Sequence, residues 1–115
     1  MLTREQILAR SRERKLHRLE VPEWEGEVYV RVMSAAEQMA LSRDVKPEEL
    51  PVRLLLATIV TEDGERVFRD DDFDALAGED FPVILRVFSF AAKLNGLSNK
   101  ELEEAMEHFG VTPGA

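Results

Sequence analysis

The fold is decided by residues 19–37, which read LEVPEWEGEVYVRVMSAAE. Residues 19–21 and 27–32 are rich in β-branched and aromatic side chains, and in the second run valines alternate with charged or aromatic residues. This alternation is typical of half-buried strands. Gly26 is expected to supply the positive φ that the connecting loop needs. The stretch therefore predicts an N-terminal β-hairpin.

Helices are predicted on both sides of this hairpin. Capping boxes, in which a hydroxyl residue precedes Glu or Gln by three positions, begin at Thr3, Ser34 and Ser98. Periodicity, glycines and prolines give helices at residues 4–16, 35–43, 47–59, 70–77, 80–94 and 99–108. Segments 59–61 and 66–68 flank an acidic turn and predict a second, very short hairpin. The predicted fold is α+β and mainly α, with about five to six helices.

The chain of 115 residues has the length of a single domain. We divide residues 1–115 into a basic N-terminal helix or arm (1–18), a globular part (19–109) and a tail (110–115). No apolar run is long enough to span a bilayer, and the charged N-terminus lacks a signal-peptide core. We therefore expect a cytoplasmic protein that does not bind membranes.

Charge is unevenly distributed along the chain. The formal net charge is -8, which disfavours binding to nucleic acid. Residues 1–20 hold six basic and three acidic residues, whereas residues 62–80 hold nine acidic and two basic ones. Both segments are explained either by solvated faces or by stacking of one copy on the next. The candidate self-association residues are Arg10, Arg12, Arg14, Asp70, Asp71 and Asp72.

No catalytic or metal-binding pattern is present in the sequence. The absence of cysteine excludes disulfides, thiolate metal sites and thiol nucleophiles. His17 and His108 are far apart in sequence, each expected on a charged helix. The acidic run 70–74 lacks the glycine and glutamate of a calcium loop, and phosphate-binding and nucleophile motifs are missing. We predict a binding protein that is not an enzyme and has no cofactor and no metal.

Three segments in a fixed order resemble a known family. They are residues 20–37, the run TEDGERVF at residues 61–68, and NGLS at residues 95–98. Together they resemble the tail assembly chaperones of long, non-contractile-tailed phages and their prophages. Two departures stand out. Glu25 replaces the first glycine of a usual pair, and the stretch 10–18 is unusually basic.

The resemblance implies a role in phage tail morphogenesis. Such chaperones bind the apolar, helical tape measure protein in the cytoplasm of the bacterial host and help recruit tail tube protein. They are absent from the mature virion, and the family implies a homo-oligomer. The runner-up interpretation is a head–tail connector or tail-terminator protein retained in the virion.

Candidate partner-binding residues are aromatic. Trp24 lies in a loop among glutamates, where a structural tryptophan is less expected, and Tyr29 lies close to it. Trp24 is explained either by partner binding or by a cap over the open end of the hairpin. Phe90 and Phe109 complete the candidate set. The apolar helix that holds Phe90 is either core or a face covered by a partner.

Overall fold

In the computed structural model, residues 1–12, 15–97 and 100 are described, and they build helices around a small antiparallel sheet. The α-helices are α1 (Arg4–Arg12), α2 (Ala35–Asp44), α3 (Leu50–Thr58), α4 (Phe73–Ala77) and α5 (Phe81–Leu94). The strands are β1 (Leu16–Val21), β2 (Gly26–Arg31) and β3 (Ile59–Val60). Short 3₁₀ turns cover Pro22–Trp24, Pro47–Glu49 and Asp70–Asp72. The predicted α+β class, mainly α, is confirmed. The predicted helix 99–108 lies outside the described residues, apart from Lys100.

The N-terminal hairpin is confirmed, but its first strand is longer than predicted. β1 pairs with β2 from Leu16 opposite Arg31 to Val21 opposite Gly26. The prediction that the first helix reaches Leu16 is therefore wrong, since α1 ends at Arg12. His17 lies in β1 opposite Val30, not on a helix. Pairing with β2 gives this segment ladder hydrogen bonds, whereas the sparse apolar residues of α1 offer little to bury.

The turn between β1 and β2 places its left-handed residue one position earlier than predicted. Glu25 has φ 54° and ψ 37°, and its N–H donates to the carbonyl of Pro22 at 2.9 Å. Gly26 already belongs to β2, where it pairs with Val21 in extended backbone. The positive φ thus falls on the position where the phage chaperones usually have glycine.

The second short hairpin is confirmed as a single bridge between Val60 and Arg66. The N–H of Val67 also donates to the carbonyl of Ile59 at 3.2 Å. The sequence does not predict that β3 pairs with β2, in the order β1-β2-β3. This pairing brings the hairpin at residues 59–67 alongside the N-terminal hairpin.

The core is formed chiefly by α3 and α5, which pack against each other, and α5 also packs against β2. The predicted apolar face of the longest helix is buried, so this face is core. Its buried residues are Val83, Ile84, Val87, Phe88, Ala91 and Ala92. Helix α2 has no buried residue, and the residues from Met1 to Arg10 are all exposed.

The side chain of Asn95 ties the end of α5 to the end of β2. Its Oδ1 accepts from the N–H of Met33 at 2.7 Å, and its Nδ2 donates to the carbonyls of Arg31 at 3.3 Å and Ala91 at 2.8 Å. Half-buried backbone groups of the β2–α2 link are thereby satisfied. This asparagine opens the NGLS motif, so one element of the family resemblance has a structural role.

Arg31 holds the start of α2 against α3. Its Nε donates to the carbonyl of Ala57 at 3.1 Å, and its guanidinium donates to both carboxylate oxygens of Glu37. Glu37 in turn closes the predicted capping box with Ser34. Hydrogen bonds from Arg31 hold the pKa of Glu37 well below its usual range, against the partial burial of the carboxyl.

Candidate binding groove

Two neighbouring depressions lie on the surface, the first of them beside strands β2 and β3. The first has a volume of about 310 Å³ and the second about 180 Å³, and both are lined by Trp24 and Phe68. We call this pair of depressions the Trp24 groove. The first is also lined by Glu27, Val28, Tyr29, Ile59, Val60, Thr61, Glu62 and Val67, and the second by Ala75, Leu76 and Glu79.

Trp24 is half-buried at the end of the 3₁₀ turn Pro22–Trp24. Part of the side chain packs against the core, and the rest lines the groove. The position of Trp24 is therefore compatible with both explanations from the sequence, a cap over the end of the hairpin and an aromatic surface that a partner can reach. Tryptophan suits this position because its large apolar ring gains from partial burial.

An ion pair fixes the turn that presents Trp24. The guanidinium of Arg86 on α5 donates to both carboxylate oxygens of Glu23, at 2.7 and 2.6 Å. This bidentate pairing is geometrically specific. The hydrogen bonds from Arg86 lower the pKa of Glu23 to about 2. The turn is thus anchored to the core helix while Trp24 lines the groove.

Tyr29 lies in the same depression as Trp24, so the structure brings two of the predicted partner-binding residues together. It is half-buried on β2, opposite Val60 of β3. Its hydroxyl donates to Oε1 of Glu62 at 3.3 Å. Partial burial raises the pKa of Tyr29, and the carboxylate of Glu62 adds to this. The hydroxyl therefore stays a neutral donor at the edge of the groove.

The sequence does not predict Val67 and Phe68 as groove residues. Both follow the bridge residue Arg66 after the acidic turn, and Val67 is 50% exposed. In the sequence they are visible only as an apolar pair after Arg66. They reach the groove because β3 pairs with β2, and this pairing is not predicted from the sequence. An exposed valine beside a half-buried tryptophan gives the groove an apolar floor.

Carboxylates surround this apolar floor. Among the described residues that line the Trp24 groove, the charged ones are Glu27, Glu62 and Glu79. Glu27 also pairs with Arg18 of β1 at 3.2 Å. An apolar floor with an acidic rim is suited to a segment that has exposed apolar side chains flanked by basic residues.

The other two aromatic candidates are not part of the groove as described. Phe90 is half-buried on α5 and packs against the core, and it does not line either depression. Phe109 lies outside the described residues. Trp24 and Tyr29 are therefore the candidates that share a surface.

The candidate self-association residues lie on two separate elements. Arg10 is exposed on α1, Arg12 ends that helix, and Arg14 lies outside the described residues. In the acidic segment, Asp71 is exposed. The carboxylates of the two flanking aspartates have partners within the chain. Asp70 accepts from Arg66 at 2.9 Å, and Asp72 accepts from the N–H of Arg69 at 2.8 Å.

Metal and membrane features are absent from the part of the chain that the structure describes. Within residues 1–12, 15–97 and 100, no three histidine or acidic side chains are grouped so that they could hold a metal ion. None of the helices formed by these residues is long and apolar enough to cross a membrane.

The chain shares its fold with a solved phage tail assembly chaperone. The solved neighbour is the tail assembly chaperone of bacteriophage HK97. It matches with a TM-score of 0.59 and 23% sequence identity, over 83% of this chain and 99% of that chain. No protein-family model and no curated protein matches the sequence. The family resemblance of the sequence is thus confirmed at the level of the fold.

Proposed function

We propose that this chain is a phage tail assembly chaperone that binds the tape measure protein and helps recruit tail tube protein during tail morphogenesis. The observation that carries the proposal is the shared fold, which extends over 99% of the HK97 chaperone. The ordered sequence segments support it independently, because they depend on residue identity and order and not on backbone geometry. The protein acts in the cytoplasm of the bacterial host and does not remain in the virion.

The Trp24 groove is the proposed client site. A chaperone for an apolar helical client needs an accessible apolar surface on a molecule that stays soluble. Trp24, Val67 and Phe68 supply the apolar surface, and a net charge of -8 favours solubility of the chaperone and of its complex. Tyr29 adds a hydrogen-bonding group at the edge. No covalent chemistry is required of any of these side chains.

Several copies are proposed to act together. The contact joins the basic arm of one copy to the acidic segment 62–80 of the next, and repeated head-to-tail contacts of this kind give rings or open spirals. The contact should weaken with salt, because the Debye length falls from about 10 Å at 0.1 M to about 3 Å at 1 M. Exposed ion pairs contribute only about 0–1 kcal/mol each, so apolar contacts must supply part of the free energy of association.

The client site is tested by Trp24→Ala. The tape measure protein encoded in the same genome is co-expressed with the wild-type chain or the variant, and the amount that co-purifies is measured. Met39→Ala is the matched control, because Met39 is 64% exposed on α2, away from the groove lining. We expect Trp24→Ala to reduce co-purification strongly and the control to match wild type.

Thermal melting separates the two explanations considered for Trp24. If Trp24→Ala melts much earlier but its folded fraction binds client as wild type does, then Trp24 is only a structural cover and the assignment is wrong. Mass spectrometry of purified virions tests the chaperone role against a connector role. A stoichiometric copy number in the virion would favour the connector.

A further inference from the structure

One part of the first depression of the Trp24 groove combines an aromatic ring with two carboxylates. Glu27, Tyr29 and Glu62 all line this depression, and we call these three residues the acidic corner. The hydroxyl of Tyr29 donates to Oε1 of Glu62 at 3.3 Å. Burial raises the pKa of Tyr29, and the charges of Glu62 and Glu27 raise it further. Both carboxylates therefore act on the same hydroxyl group.

The acidic corner lacks a strong cationic partner within the described part of the chain. None of the described residues that line the first depression is basic. The carboxylate of Glu62 contacts the hydroxyl of Tyr29, and no described arginine or lysine pairs with it. Glu27 pairs with Arg18 at 3.2 Å, but the side chain of Arg18 is 60% exposed, so this ion pair is weak. The corner thus carries a negative charge that a cation from a partner can neutralise.

Apolar surface shares the depression with the acidic corner. Trp24, Val67 and Phe68 line the same volume of about 310 Å³. A cavity of about 150 Å³ holds benzene, so the depression has room for an apolar side chain together with the head of a long basic one. Arginine suits such a site, because its planar guanidinium keeps its charge, stacks on aromatic rings and donates to carboxylates.

We propose that the acidic corner binds an arginine side chain of the client, while Trp24, Val67 and Phe68 contact the apolar residues beside that arginine. The identity of the client rests on the proposed function. The proposal adds the class of segment that the groove selects, which is an apolar segment bordered by arginine. Glu62 is then the residue that determines specificity, since no described cation neutralises it within the chain.

The proposed contact between copies does not require the acidic corner. Of the acidic segment 62–80, the corner uses only Glu62. The self-association candidates Asp70, Asp71 and Asp72 do not line the first depression. An assembled copy can therefore bind the client through its acidic corner.

Peptide binding tests the acidic corner, with the emission of Trp24, the single tryptophan, as the readout. The probe is a helical peptide without tryptophan, in which a pair of leucines is flanked by arginines. In the matched peptide, citrulline replaces each arginine and keeps its shape without its charge. Bound leucines should displace water from Trp24 and shift its emission to shorter wavelength. We expect the arginine peptide to bind about fivefold tighter, which is the upper range for one exposed ion pair.

Two variants separate the acidic corner from the overall charge of the protein. Glu62→Gln and Glu65→Gln each remove one charge from the same exposed turn, but only Glu62 lines the depression. The preference for the arginine peptide should be largely lost in Glu62→Gln and unchanged in Glu65→Gln. The proposal is overturned by an equal preference in the two variants, by equal binding of both peptides to wild type, or by no binding of either peptide.

Co-purification of the tape measure protein distinguishes this proposal from the proposed function. If wild type captures the tape measure protein but binds both peptides equally, the proposed function stands and the arginine site is wrong. If the arginine preference depends on Glu62 while wild type captures no tape measure protein, the arginine site stands and the proposed function is wrong.

Discussion

Replacing Glu25 with glycine should stabilise the protein. Glu25 holds φ 54° and ψ 37°, a conformation that costs an L-residue about 1–2 kcal/mol. Glycine adopts it freely but loses about 0.4–1 kcal/mol through the greater freedom of its unfolded chain. The difference is a gain of about 1 kcal/mol, or about 4–8 °C in melting temperature for a small domain. The hydrogen bond from the backbone N–H of residue 25 to Pro22 is retained.

The control is Glu25→Ala, which removes the same charge and keeps the L-configuration. Thermal and urea unfolding, followed by circular dichroism, should rank Glu25→Gly above both wild type and Glu25→Ala. Gly26→Ala should be tolerated, since the nearest atom to an added Cβ among the described residues is the carbonyl oxygen of Trp24, at 3.9 Å. If Glu25→Gly is no more stable than Glu25→Ala, the backbone strain assigned to this turn is wrong.

Two further stability predictions concern the contacts of α5. The pKa of Glu23 falls from an ordinary 4.5 to about 2 beside Arg86, so the pair should stabilise the protein above pH 4.5 and lose this effect as the pH falls towards 2. Urea unfolding from pH 7 to 2 should show that Glu23→Gln is less stable than wild type at neutral pH and that the gap closes in acid. A gap independent of pH would contradict this. Asn95→Ala leaves half-buried backbone groups without partners and should cost about 1–3 kcal/mol, whereas the exposed Lys93→Ala should change stability by less than about 0.5 kcal/mol. Equal effects of the two variants would refute the role of Asn95.

Local signals in the sequence predict most of the elements. The capping box at Ser34 places the start of α2, and the valine alternation places β2, because both depend on neighbours within a few residues. The predicted end of α1 is wrong because arginine and lysine at residues 10–15 fit a helix by propensity. The structure that forms at Leu16 is instead a strand, because Leu16 pairs with Arg31, fifteen residues away.

The candidate groove is predictable only in part. Trp24 and Tyr29 stand out because large aromatics are unusual among glutamates. Val67 and Phe68 have no such local signal, since they reach the groove through the pairing of β3 with β2, which joins residues about thirty positions apart. The glycine in this loop predicts that the left-handed residue is Gly26. In the structure Gly26 pairs with Val21 in the hairpin, and the left-handed residue is Glu25.

Solubility of the client tests the central claim most directly. The tape measure protein from the same genome is expressed alone, with this chain, and with Trp24→Ala, and the soluble fraction is measured by quantitative immunoblot. We expect the wild-type chain to raise the soluble fraction severalfold and the variant to raise it much less. An equally insoluble tape measure protein in the presence of abundant, folded wild-type chain would contradict the chaperone function.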